Sequence, residues 1–193
     1  MHPPVTDTSP QAIAAYWHTQ GQALATHAGE TLAGWGFEAA TVDLLATGGL
    51  PTDAAPYLSF DTSLARLSTL YGLGPAFAHF VRLGSDGAGN PLVLNTADHD
   101  RVEWLDHEDG FAAHYVNGSL HALAASLVAY DRFVKDLQAT RGEDAYMDAD
   151  FTDEQRAALQ QRLAEADAQA VAAGGFWQEE LRTLLVNRAE YHK

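Results

Sequence analysis

The run Arg101–Leu137, RVEWLDHEDGFAAHYVNGSLHALAASLVAYDRFVKDL, constrains this chain more than any other segment. Arg101–Leu105 and Ala113–Val116 are short pieces rich in aromatic and β-branched residues, separated by the charged turn Asp106–Gly110. Such pieces read as paired strands. Val102 and Trp104 fall on one face of the first and Glu103 on the other, which predicts a sheet with one wet side. Leu120, Leu123, Leu127, Tyr130, Val134 and Leu137 then recur at steps of three and four, the stripe of an amphipathic helix. Ser119 or Asn117 can cap its start by accepting a backbone N–H. Two strands delivered straight into one long helix predict an α+β domain.

The strand rhythm extends upstream. Ala78–Leu83 and Leu92–Asn95 are further short runs, with turn-forming Asp86–Asn90 and Thr96–Asp100 after them. Regular spacing of this kind predicts an antiparallel meander wrapped by helices. Tyr57–Phe60 and Leu64–Tyr71 read as strand or turn. Ser9-Pro10 looks like an N-cap and first helical position, and Ile13, Tyr16, Trp17 and Gln20 continue at helical spacing. Glu38–Thr47 reads as another helix, stopped by Gly48-Gly49 and Pro51. After an acidic connector, Thr152 to Gln155 has capping-box spacing, so a helix should start at Asp153 and run to Gly174-Gly175. Phe176, Trp177, Leu181, Leu184 and Leu185 mark a last helix docked through its aromatics. The expected organisation is one domain over 1–193, with N-terminal helices in 10–50, the sheet in 57–116, its packing helix in 117–137 and C-terminal helices in 153–188.

Eleven basic and twenty-six acidic residues leave a net charge of −15. That field repels nucleic acid and anionic membrane surfaces, which bind through Lys and Arg, and it attracts basic partners. The absence of cysteine excludes disulfides and thiolate chemistry and suits a reducing cytoplasm. Met1–Pro10 lacks the basic and then apolar run of a signal peptide. The longest uncharged window, Phe111–Tyr130, holds His114, Asn117, Gly118, Ser119 and His121, so it reads as strand plus buried helix face rather than membrane span. A cytoplasmic protein without membrane or nucleic-acid contacts is expected.

Candidate chemistry is sparse. His99, His107, His114 and His121 sit among Asp98, Asp100, Asp106, Glu108 and Asp109, and imidazole with carboxylate can hold a divalent metal. No helical His pair accompanies them, and Asp98–Asp100 alternate sides if extended, so no metal and no cofactor is assigned. Asn117-Gly118-Ser119-Leu120 sits at a strand-to-helix corner, but a nucleophile elbow needs a glycine where His121 stands. The glycine-rich Gly84–Gly89 has no lysine partner and joins two strands, which makes it a hairpin loop. No catalytic residue is therefore assigned. The remaining feature is acidity. Asp98, Asp100, Asp106, Glu108 and Asp109 flank the third strand of the meander, and Glu143, Asp144, Asp148 and Asp150 crowd the connector. These nine are the candidate partner-binding residues.

Leu44–Pro51, reading LLATGGLP, resembles the helix followed by Gly-Leu-Pro that opens the SUKH superfamily of bacterial immunity proteins. Phe80–Asp86 resembles its central strand and glycine-bearing turn, and Arg101–Leu105 the strand after it. Tyr115–Leu120, YVNGSL, resembles the Val-Asn-Ser-Ser-Leu corner of the fourth immunity group, with Gly118 in place of a small hydroxyl residue. Phe176-Trp177 is similar to that group's C-terminal Trp segment, so the resemblance spans Leu32 to Leu185. It implies a SUKH-like α+β domain that binds and neutralises a cognate toxin of nuclease or nucleic-acid deaminase class and is not an enzyme. Such toxins tend to be basic, and an acidic inhibitor matches them in charge. Two rivals remain: a regulatory protein-binding scaffold of the same fold, and a small metal-dependent hydrolase using the His/Asp cluster.

Overall fold

Ser9 and Pro10 start the first helix as their chemistry predicts. In the computed structural model, which describes residues 7–191, the Ser9 hydroxyl accepts the Ala12 N–H at 3.3 Å and α1 runs Pro10–Thr19. Residues 1–6 of the segment read as lacking a leader lie outside the described residues. Strand β1 (Leu24–Ala25) and a single turn, α2 (Gly29–Leu32), follow. The helix expected over Glu38–Thr47 forms as α3 (Ala39–Asp43), continued by one wide π turn, Leu44–Gly48. Gly49 ends it with φ of 72°, a left-handed conformation that suits a residue without Cβ, and its N–H bonds the Leu44 carbonyl at 2.7 Å. Strand β2 (Leu50–Pro51) then pairs with β1 in a separate two-stranded ribbon.

The main sheet is the expected meander. Its six strands are β3 (Asp53–Ala54), β4 (Leu58–Arg66), β5 (Phe80–Ser85), β6 (Pro91–Asn95), β7 (Arg101–Asp106) and β8 (Ala112–Asn117). They lie in sequence order and every neighbouring pair is antiparallel. Tyr57–Phe60 and Leu64–Tyr71 are not separate pieces. The nine-residue β4 runs through both, with a register shift between Phe60 and Ala65, and the chain then coils into α4 (Leu67–Leu70). Strand β5 begins at Phe80 rather than Ala78, because the Ala78 N–H closes a 3-10 turn by bonding the Pro75 carbonyl at 3.1 Å.

The far face of the sheet is not wet. Leu67, Phe80, Val93 and Leu105 form a second apolar cluster there, covered by Leu73, Phe77 and Phe111. Glu103, paired across from Val93, keeps 3% of its surface exposed. Its charge is satisfied within the sheet: Arg101 Nε donates to Oε1 at 2.8 Å and Asn95 Nδ2 to Oε2 at 3.2 Å. Period-two alternation placed Glu103 on the correct face, but the chain that covers that face comes from residues of weak pattern.

The near face carries the 22-residue α5 (Leu120–Arg141). Ser119 is its cap, accepting the Ala122 N–H at 3.2 Å. Asn117 is instead fully buried, and its side-chain carbonyl accepts the Trp177 indole N–H at 2.9 Å. That bond ties β8 to the last helix, α7 (Phe176–Tyr191). Between them α6 (Asp153–Ala166) opens with the expected capping box. It stops well short of Gly174. Asp167 leaves helical geometry with φ of −163°, and its Oδ2 accepts the Gly118 N–H at 2.8 Å, the Tyr115 hydroxyl at 2.7 Å and Asn117 Nδ2 at 3.4 Å. Bonds to a carboxylate contribute about 1.5–3 kcal/mol each, more than the fraction of a kcal/mol per residue by which alanine favours helix. One apolar cluster runs from Ile13 on α1 to Leu184 on α7. No helix among the described residues is long and apolar enough to cross a membrane.

Candidate functional site

The nine acidic candidates do not form one patch. The Thr96–Asp100 turn precedes β7 and the Asp106–Gly110 turn follows it, so the two lie at opposite ends of a six-residue strand, about 17 Å apart. At the first end, Asp100 is 1% exposed and its Oδ2 accepts the Glu38 N–H at 2.6 Å. Asp100 is therefore a buried link between the sheet and α3, unavailable to a partner. Asp98 pairs with Arg101 Nη1 at 2.5 Å. At the other end, Asp106 Oδ1 accepts the N–H groups of Glu108 and Asp109 at 2.9 and 3.3 Å, which turns those two side chains outward. In the connector, Glu143, Asp144 and Asp148 are exposed, whereas Asp150 pairs with Arg141 at 2.5 Å. The connector is itself packed, with Ala145, Ala149 and Phe151 buried.

The histidines are also dispersed. His99 reaches Glu38 at 3.2 Å, His107 Nδ1 meets Asn90 Oδ1 at 2.7 Å, and His114 stacks on Trp104 with centroids 4.4 Å apart. Among the described residues no three His, Asp or Glu side chains converge as a metal would require. His99, His107 and His114 are each engaged with a different partner.

What the fold does bring together is a cleft that the acidic pattern did not reveal. Tyr57, Tyr130, Tyr146, Met147, Glu180 and Tyr191 line it, with a volume of about 180 Å³. A second, more open hollow shares Tyr57 and Tyr146 and adds Asp53, Asp86 and Asp131. Three of the six exposed large hydrophobic side chains of the described residues stand here: Tyr57 at 68%, Met147 at 60% and Tyr191 at 63%. Clustered exposed apolar side chains are a common feature of interaction surfaces. Tyr57 has φ of 62°, a left-handed backbone that is strained for an aromatic residue. It lies over the β5–β6 turn, where a Cβ on Gly87 would meet the Tyr57 Cβ at 3.0 Å. Only glycine lets the two segments approach without displacement.

Glu180 is the cleft's chemical centre. Burial, then the charges of Asp86 and Glu179, push its carboxyl up to about 7. Among the described residues no hydrogen bond or ion pair reaches it. In the same cleft the Tyr130 and Tyr146 hydroxyls lie 3.2 Å apart, both phenols raised by burial, Tyr146 to about 12, so both stay neutral at physiological pH. The sequence does hold a signal for this site: Trp177, Glu180, Leu181 and Leu184 share helical spacing, so a carboxylate sits inside the apolar stripe of α7.

The consequence for stability has a definite sign. The folded chain holds a proton near pH 7 that the unfolded chain loses near the ordinary value of 4.5. Stability therefore falls as pH rises from 4.5 to 7, and the full cost applies above 7. Glu180→Gln is expected to stabilise the protein at pH 8 by about 3 kcal/mol, with most of that gain gone at pH 5. Urea midpoints at the two pH values check this.

The model of the SUKH-4 immunity protein family matches residues 11–184. The chain belongs to the SUKH-4 immunity protein family. The match takes in every strand and reaches along α7 as far as Leu184. No curated protein and no solved structure matches the chain. Family membership points to an immunity-type function against a cognate toxin, exercised as an inhibitor rather than an enzyme.

Proposed function

We propose that this SUKH-4 protein neutralises a basic toxin of nuclease or nucleic-acid deaminase class by covering its substrate site, in the cytoplasm of the cell that makes it. The observation that carries this reading is the placement of charge beside exposed aromatic surface. The turn holding Glu108 and Asp109 stands at the same end of the sheet as the Asp86–Asn90 turn, joined through His107 and Asn90 at 2.7 Å. Asp86 lines the hollow beside the cleft, and the connector contributes Tyr146 and Met147 to the cleft itself. In this reading, carboxylates on that surface take the place of the phosphates of the toxin's substrate. The tyrosines beside them supply burial. Long-range attraction raises the association rate, while aromatic anchors govern dissociation.

The test uses the toxin domain encoded beside this gene. Its activity should vanish at stoichiometric amounts of this protein, and full activity at saturation would overturn the proposal. A kinetic prediction accompanies it. Changing Glu143, Asp144 and Asp148 together to lysine should slow association about tenfold at low salt, with the difference shrinking at high salt. Stopped-flow association at two ionic strengths measures this, and rates insensitive to the substitution would remove the connector from the interface.

A further inference from the structure

We propose that the cleft between the Tyr57 segment, the connector and α7 is a socket for a single lysine or arginine side chain projecting from the toxin, with Glu180 as its counter-ion. The inference rests on the immunity reading above and names how that partner is held. Three features point to a cation. The walls are tyrosine rings, Tyr57, Tyr146 and Tyr191, whose faces attract positive charge. The lining includes the carboxylate of Glu180, which has no hydrogen bond or ion pair among the described residues. The cleft's volume of about 180 Å³ leaves room for a long side chain.

The surroundings reinforce that preference. Among the described residues, the titratable groups around Glu180 are Asp86 from the β5–β6 turn, Glu179 from its own helix, Tyr130 from α5, Tyr146 from the connector, and Tyr57 and Tyr191, which line the same cleft. All are acids or phenols. An anion or a neutral apolar anchor would leave Glu180 buried without compensation, and only a cation relieves both the burial and the repulsion from Asp86. Entry of the cation draws Glu180 back to its ionised form, so complex formation releases a proton.

The test is titration calorimetry of wild-type protein and Glu180→Gln against the same inactivated toxin domain, in two buffers of different ionisation enthalpy. Wild type should release about half a proton per complex at pH 7 and lose about tenfold in affinity from pH 8 to pH 6. Glu180→Gln should bind about tenfold more weakly at pH 8 and show neither proton release nor pH dependence in that range. Tyr57→Ala should weaken binding while preserving the proton release. Equal affinity and equal proton release for wild type and Glu180→Gln would overturn the socket while leaving the immunity reading intact. No binding by wild type would overturn both. Carbon-13 detection of the Glu180 carboxyl in the free protein supplies the control. Titration near 4.5 there would mean that Glu180 is already compensated in the free protein, and the socket would fall.

Discussion

Trp177→Ala is expected to destabilise the protein by about 3–5 kcal/mol, because truncating a buried tryptophan leaves a cavity that its surroundings only partly close. Trp177 is 0% exposed and packs against Tyr130 and Phe176, with ring centroids 5.9 and 5.1 Å away. A second loss comes with the first. The Asn117 carbonyl that accepts the indole N–H is itself 0% exposed and would be left without that donor, at a further cost on the order of 1–3 kcal/mol. Small domains have about 5–15 kcal/mol in total, so this one change removes a large share. Trp177→Phe keeps most of the packing and loses the hydrogen bond, and should fall between. The effect reaches function as well, since α7 carries Glu180 one turn after Trp177 and loosening the helix deforms the cleft. Urea unfolding followed by circular dichroism measures the first effect and toxin affinity the second. A midpoint for Trp177→Ala within experimental error of wild type would contradict the assignment of α7 to the core.

Arg101→Ala should cost about 3–5 kcal/mol for a different reason: it strands a buried carboxylate. The Glu103 side chain is 4% exposed and depends on Arg101 Nε and Nη2 at one oxygen and Asn95 at the other. Removing Glu103 as well reverses the sign of the second step. In the double variant Arg101→Ala, Glu103→Leu, the new side chain faces Val93 in an apolar cluster, so stability should recover toward wild type. Denaturant midpoints of the two single variants and the double variant complete the cycle. A single Arg101→Ala variant as stable as wild type would show that Glu103 finds water or another partner.

Much of the framework was legible in advance, and in each case the signal was local. The Ser119 hydroxyl reaches only to Ala122, and the capping box joins Thr152 to Gln155. The α5 stripe shows because one helix repeats its own period, and the meander shows because turn residues punctuate the strands. The errors share the opposite property. The helix expected to run through the alanine-rich segment ends at Ala166, since Asp167 is bonded to Tyr115 and Gly118, about fifty positions earlier in the chain. Asp100, read as a surface charge, is buried by a contact with Glu38 sixty-two positions away. The supposedly wet face of β7 is covered by α4 and the turn after it, whose residues carry no clear period.

Sequence alone thus determined the α+β class, the antiparallel meander over Ala78–Val116, the main helix stripe and the strongly acidic character, because periodicity, capping and net charge are properties of neighbouring residues or of the whole chain. Only the tertiary structure decided which carboxylates face outward and which are consumed inside. It alone assembled Tyr57, Tyr146 and Glu180 from three distant segments into one cleft. The physical reason is that burial and an altered proton affinity belong to a location in space, and that location exists only after packing has closed around it.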